Sequence, residues 1–294
     1  MVKKVTVFKK PDKSDAFTIV LKSPTNVTSD TGYVVNKIDG LGPVDADINT
    51  TEMVVDGDNF NSARTGKRNI VFELEFFSRV GDGIEGVRHH SYTLFPTKKP
   101  IFLEVETSGR TAYTQGYVEK NEPDIFTDRE GNQVSIICPD PKWYDSNGTQ
   151  MTEITTGTDT RIEYTGNVEV GGYLAIEIGA DVSAPVSEGV PAFTVSCANE
   201  DGDAQLIHIY APYDEDEGIT GFVQGDIIVI SSIPGNKYCI WTDTADADHN
   251  ALNLIDQNPD WITIKPGINT IRVEDPNSAI SSVGFENPIC YEGV

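Results

Sequence analysis

The run Gly116-Tyr117-Val118-Glu119-Lys120-Asn121-Glu122-Pro123-Asp124-Ile125-Phe126, continued by Val134-Ser135-Ile136-Ile137-Cys138-Pro139-Asp140-Pro141-Lys142-Trp143-Tyr144, decides how the chain divides. It holds two apolar runs separated by a polar, glycine-containing crossing, the pattern of two strands joined by a turn. It ends on Pro-Asp-Pro, which removes two backbone donors and halts a ladder. The charge balance changes just beyond it. Residues 1–145 carry 18 basic and 22 acidic side chains, a balance of −4, and the rest carry 4 and 24, a balance of −20. A chain of 294 residues has room for two cores. We therefore expect one domain at 1–145 and a second at 146–294, with Pro139, Asp140 and Pro141 as the inter-domain hinge.

Upstream of that stretch the sequence reads as short strands. Residues 2–8, 16–22 and 33–38 are β-rich, and the third runs into Asp39-Gly40-Leu41-Gly42-Pro43, a turn that calls for positive φ. Residues 52–59 read as a strand entering a turn. Residues 69–77 alternate at period 2, with Ile70, Phe72, Leu74 and Phe76 on one face. One helix is expected over 82–95, with Ile84, Val87, Leu94 and Phe95 on its apolar stripe, Asp82 as N-cap and Pro96 as the stop. Strands resume at 101–105 and 110–115. Downstream of the boundary, apolar runs recur at 160–164, 173–178, 192–197, 205–210, 226–230, 237–241 and 269–273, with turn residues between them and one short helical turn at 251–256. This is the spacing of an antiparallel sandwich. The expected fold class is mainly β: an N-terminal β-barrel or sandwich domain with one helix, followed by an antiparallel β-sandwich.

The chemistry-bearing residues point away from catalysis. The net charge of −24 leaves the second half almost without cations to displace phosphate counterions, which excludes specific nucleic-acid binding there. No apolar run reaches the ~18 residues of a membrane span. The sequence has no P-loop, G-x-S-x-G, H-E-x-x-H or G-x-G-x-x-G pattern. Asp243, Asp246, Asp248 and Asn250 start like a calcium loop, but Ala251 and Gln257 stand where such a loop needs Gly and Glu. Asp214-Glu215-Asp216-Glu217 reads as a solvated loop. Cys138, Cys197, Cys239 and Cys290 are widely spaced and read as buried thiols, and His89, His90, His208 and His249 as structural or surface residues. No catalytic residue, cofactor or metal ligand is assigned. Trp143, Trp241 and Trp261 are candidates for stacking on a sugar ring. Arg64, Lys67 and Arg68 flank Gly66 between two strands, as a charged hairpin tip or as an arm making ion pairs to another subunit.

The order of several segments resembles the siphophage distal tail proteins. The resemblance rests on Ile38-Asp39-Gly40-Leu41-Gly42-Pro43-Val44-Asp45-Ala46-Asp47-Ile48, Arg68-Asn69-Ile70-Val71, Tyr92-Thr93-Leu94-Phe95-Pro96, and the quoted stretch through Pro141. In the second half, Gly166-Asn167-Val168-Glu169, Gly225-Asp226-Ile227-Ile228-Val229-Ile230 and the run from Trp261 to Ile271 are similar to that family's galectin-like sandwich. The resemblance implies a non-enzymatic virion protein of the tail tip or baseplate. It would form a hexameric ring through its N-terminal domain, with residues 44–69 as an arm to a neighbour. Implied partners are the tail tube protein, the tail-associated tip protein and receptor-binding or baseplate proteins, around a channel for DNA. Implied too is synthesis in the host bacterial cytoplasm, with no cofactor and no membrane partner. The alternative is a galectin-like module that binds host cell-wall saccharide.

Overall fold

The computed structural model describes residues 2–21, 32–78, 81, 83–126, 129–184, 190–216 and 218–294. The chain divides into two units, Met1–Asn147 with Tyr291–Val294, and Gly148–Cys290. The division falls two residues beyond the one expected from charge. The chain also returns to its first unit at the end, which a reading by contiguous segments did not include.

The first unit contains β1 (Val2–Phe8), β2 (Phe17–Leu21), β3 (Tyr33–Asp39), β4 (Ala46–Glu52), β5 (Asp58–Thr65) and β6 (Arg68–Phe76). These are followed by α1 (Ile84–Leu94), β7 (Pro100–Thr107), β8 (Thr111–Asp124), β9 (Gly131–Cys138) and the start of β10 (Trp143–Glu153). The strands pair in the order β8-β7-β1-β2-β3-β6-β9, and β9 pairs again with β8, so the ladder returns on itself as a barrel. All these pairs are antiparallel except β2–β3.

The opening stretch closes this barrel. The first half of β8 pairs with β7 through Thr111 to Tyr117, and its second half pairs with β9 through Tyr117 to Asp124. The predicted strand at 110–115 and the run after it are therefore one strand passing through Gly116. A Cβ at Gly116 would meet Ile136 Cγ2 at 2.6 Å and Cys138 Sγ at 2.8 Å, so the close approach of β9 requires glycine here. The alternation of β6 is realised, with Ile70, Phe72, Leu74 and Phe76 all buried in the barrel core beside Val5, Val7, Leu103, Val134 and Ile136.

Helix α1 lies inside the expected 82–95 span and buries Val87, Ser91 and Leu94. Gly83, with extended φ and ψ, occupies the N-cap, and Asp82 lies outside the described residues. The turn after β3 has the conformation its glycine demands. Gly40 has φ +85°, and a Cβ there would meet the Asn69 carbonyl oxygen at 2.0 Å.

The strand expected at 52–59 is different. Residues 53–57 are a turn, and the strands are β4 before it and β5 after it. Among the described residues these two pair only with each other, as a two-stranded ribbon, and every residue in both is exposed.

The second unit continues with β11 (Thr160–Tyr164), β12 (Val170–Gly171), β13 (Tyr173–Ile178), β14 (Val182–Ser183), β15 (Phe193–Asn199), β16 (Ala204–Ile209) and β17 (Gly221–Phe222). It ends with β18 (Ile227–Ser231), β19 (Tyr238–Thr242), β20 (Asp248–Asn250), β21 (Thr263–Ile264), β22 (Gly267–Glu274) and β23 (Ile280–Tyr291), with a 3-10 turn at Leu252–Leu254. One sheet runs β11-β22-β15-β16, and the other contains β20-β19-β18-β13-β23. Period-2 burial on both fills the space between them. Ile162, Val195, Ile207 and Ile271 come from the first, and Leu174, Ile176, Ile228, Cys239 and Phe285 from the second. Phe193, Phe222 and Trp241 link the two layers in sequence, with ring centroids 5.9 and 6.1 Å apart. The outer edge of β16 is covered rather than open. Asp256 accepts from the His208 N–H, the Leu254 carbonyl from the Tyr210 N–H, and Gln205 exchanges hydrogen bonds with Thr263.

Candidate functional site

The ribbon of β4 and β5 stands out among the described surfaces. Ile48 lies opposite Ala63, and Thr50 opposite Phe60 across a register shift, so Ile48 and Phe60 share a face. The other face carries Asp47 opposite Arg64, Asn49 opposite Ser62, and Thr51 opposite Asn59. Ile48, Phe60, Val54 and Val55 are 61, 66, 108 and 69% exposed. An isolated two-stranded hairpin is marginal in water, and an apolar face on one is an association surface.

This geometry corrects the reading of Arg64, Lys67 and Arg68 as one hairpin tip. Strands β5 and β6 do not pair, and the tip of the ribbon is at residues 53–57. Arg64 lies at the base of the ribbon, in an exposed ion pair with Asp47 at 3.5 Å, a contact of the kind worth ~0–1 kcal/mol. Lys67 is exposed between the two strands. Arg68 is 1% exposed and belongs to the interior, because β6 is drawn into the barrel by its apolar face.

The Arg68 guanidinium donates to four carbonyl oxygens of the first unit: Pro141 at 2.8 Å, Gly40 at 2.6 Å, Gly42 and Glu292. It also lies 5.4 Å from the Trp143 ring. Burial pushes its pKa down, opposed by the nearby Cys138 and Asp140. One side chain thus ties the β3 turn, the Pro139-Asp140-Pro141 segment and the end of the chain together. Within the chain it holds structure, and it lies in the interior rather than on the ribbon. The Pro-Asp-Pro segment sits between β9 and β10, upstream of the unit boundary inside β10. Asp140 there accepts from the Lys142 N–H at 3.1 Å and the Tyr144 hydroxyl at 2.5 Å.

The remaining candidates are placed as follows. Trp143 is fully buried in the first unit and offers no face to a sugar. Trp241 is 7% exposed, and its indole N–H donates to Asp226. Lys237 lies over the Trp261 ring, 5.2 Å from its centroid. The Asp243 loop is held by its own side chain: Oδ1 accepts from the Ala245 and Ala247 N–H groups. Asp214 accepts from the Asp216 N–H in a turn, and Glu217 lies outside the described residues. Among the described residues no cluster of His, Cys, Asp or Glu has the geometry to hold a metal ion, and no helix is long and apolar enough to cross a membrane.

No family model matches the sequence, and no curated protein matches it by sequence. Solved structures do. The crystal structure of the Dit protein of phage SPP1 aligns over 88% of this chain and 93% of its own, with a TM-score of 0.62 at 12% identity. It is described as a paradigm of the hub adsorption apparatus in phages that infect Gram-positive bacteria. The chain has the fold of a phage distal tail protein. Two chains of the phage P2 baseplate in its activated conformation also align. The calcium form covers 100% of both chains at 12% identity (TM-score 0.49), and the strontium form 97% of both at 11% (TM-score 0.47).

Proposed function

We propose that this chain is a structural protein of a phage tail tip. In this reading, six copies form a ring through the first unit. The ring joins the end of the tail tube to the tip protein and the receptor-binding or baseplate proteins, around a channel for DNA. Its place is the virion, after synthesis in the bacterial cytoplasm, and its role is assembly rather than catalysis. The observation that carries the reading is the β4–β5 ribbon, whose Ile48 and Phe60 face is left exposed by the described residues. Contacts of one surface patch with a different patch on the next copy generate closed rings. Arg64 and Lys67, at the base of that ribbon, are the charged side chains we place at the ring contact. The near-neutral balance of −4 in residues 1–145 gives the ring-forming unit no net positive charge with which to hold DNA.

The test is the mass of the purified chain by sedimentation velocity and native mass spectrometry, with negative-stain images of the largest species. A ring of six copies is expected. A strictly monomeric species at every concentration, alone and mixed with the tail tube protein, would overturn the proposal.

A further inference from the structure

The second unit contains a cavity of about 450 Å³ between the β14–β17 pair and the β19–β20 hairpin, within the usual size of a small-molecule site. Its lining includes Asp181, Phe222, Asp226, Trp241, Asp243 and His249. Asp226 is 1% exposed. Its Oδ2 accepts from the Trp241 indole N–H at 2.8 Å and from the Val223 N–H at 2.9 Å. Its Oδ1 accepts from none of the described residues. That oxygen keeps slight contact with the cavity, where a donor entering from solvent can reach it.

The surroundings define that donor. Asp243 accepts from His249 Nε2 at 2.9 Å, and this contact, with the Ala247 and Ala245 N–H groups, holds its carboxyl below the usual carboxylate range. Asp181 accepts from the Gln224 N–H at 2.9 Å. His249 stacks on Trp241 at 4.6 Å, and Phe222 meets Trp241 edge-on. No lysine or arginine lines the cavity. The four cations of residues 148–290 are Arg161, Lys237, Lys265 and Arg272. Lys265 is paired with Asp203, Arg272 with Asp159 and Glu274, and Lys237 lies over Trp261. Three carboxylates beside aromatic rings, with no cation of the chain's own, repel anions. An ammonium group satisfies both features, since it donates to Oδ1 and is attracted to the aromatic faces. The Trp241, His249 and Phe222 rings beside the carboxylates suit an organic cation better than a strongly hydrated metal ion.

We propose that this cavity binds a small organic ammonium ion, with Asp226 as its principal acceptor and Asp181 at the rim. The test uses the full chain labelled with 5-fluorotryptophan and read by fluorine NMR. Its three tryptophans give a reporter at Trp241 and internal references at Trp143 and Trp261. Glucosamine, cadaverine and neutral N-acetylglucosamine are titrated separately at constant ionic strength and neutral pH. The Trp241 resonance should move saturably with the amines and not with N-acetylglucosamine. Movement with both amines supports recognition of the ammonium group itself, and movement with glucosamine alone supports an amino sugar. Asp226→Asn should weaken binding at least ~10-fold. Asp181→Asn, at an exposed rim position that leaves the fold intact, should weaken it about two- to five-fold. No saturable movement with either amine, or an equal response to N-acetylglucosamine, overturns the proposal.

Discussion

Arg68 Nε donates to the carbonyl oxygen of Pro141 at 2.8 Å, across 73 residues of sequence. The contact joins a residue expected at a subunit surface to one expected at a hinge, and it is internal to the first unit. Breaking a buried charged contact is expensive because the partners left behind lose their donors. Arg68→Met is therefore expected to lower the unfolding free energy by about 3–5 kcal/mol, and Arg68→Lys by less, because an ammonium cannot reach all four carbonyls. Urea denaturation followed by tryptophan fluorescence measures it. A change below ~1 kcal/mol in the methionine variant would show that the four carbonyls find other donors.

The ribbon makes the opposite prediction. Ile48→Asp with Phe60→Asp changes only exposed side chains, so the monomer should keep its melting temperature, with a stability change within about 0.5 kcal/mol. Self-association should be lost. Sedimentation velocity beside a thermal melt separates the two. A lower melting temperature with assembly intact would place the ribbon in the monomer's own core.

Thiol chemistry gives a third. All four cysteines are buried, and burial pushes the Cys138 and Cys197 thiols up to about 11 and Cys239 up to about 12. The native chain at pH 8 should therefore react with a disulfide reagent far more slowly than a free thiol, and the urea-unfolded chain should titrate four thiols at once. One fast equivalent in the native protein would identify a locally opened segment.

Acid should act through the β19–β20 hairpin. The folded Asp243 carboxyl is depressed below its unfolded value, first by His249 and then by the Ala247 N–H. A depressed carboxylate stabilises the fold above the unfolded pKa, about 3.9, and that stability is lost as pH falls through the folded pKa. The melting temperature of Asp243→Asn should therefore lie below that of the native chain at neutral pH, and the two should converge below pH ~3.9. A constant difference across the whole range would assign the effect to the loop hydrogen bonds alone.

Much of the fold is legible in the sequence where one face is buried. Ile70, Phe72, Leu74 and Phe76 announce β6 because only one side of the strand meets the core, and Gly40 announces its turn because no other residue adopts its φ without strain. The ribbon is not legible in the same way. Residues 46–65 meet water on both faces, so Asn, Asp and Thr recur and Ile48 and Phe60 look like isolated apolar residues. The burial of Arg68 is not legible for a related reason. A cation between two strands reads as solvated, and its burial depends on carbonyls supplied by Gly40, Gly42, Pro141 and Glu292, far away in sequence. The ammonium cavity was hidden because Asp181, Asp226 and Asp243 come from three separate turns, and in so acidic a stretch no spacing distinguishes them from other aspartates.

The return of Tyr291–Val294 makes the first unit discontinuous in sequence, with the whole second unit inserted between its two parts. The Glu292 carbonyl completes the contacts of Arg68, and the Tyr291 hydroxyl donates to Asp145 at 2.8 Å while its ring lies 4.0 Å beneath Arg110. Arg68, at the start of β6, therefore has all four of its carbonyl acceptors only when segments from both sides of the second unit are in place.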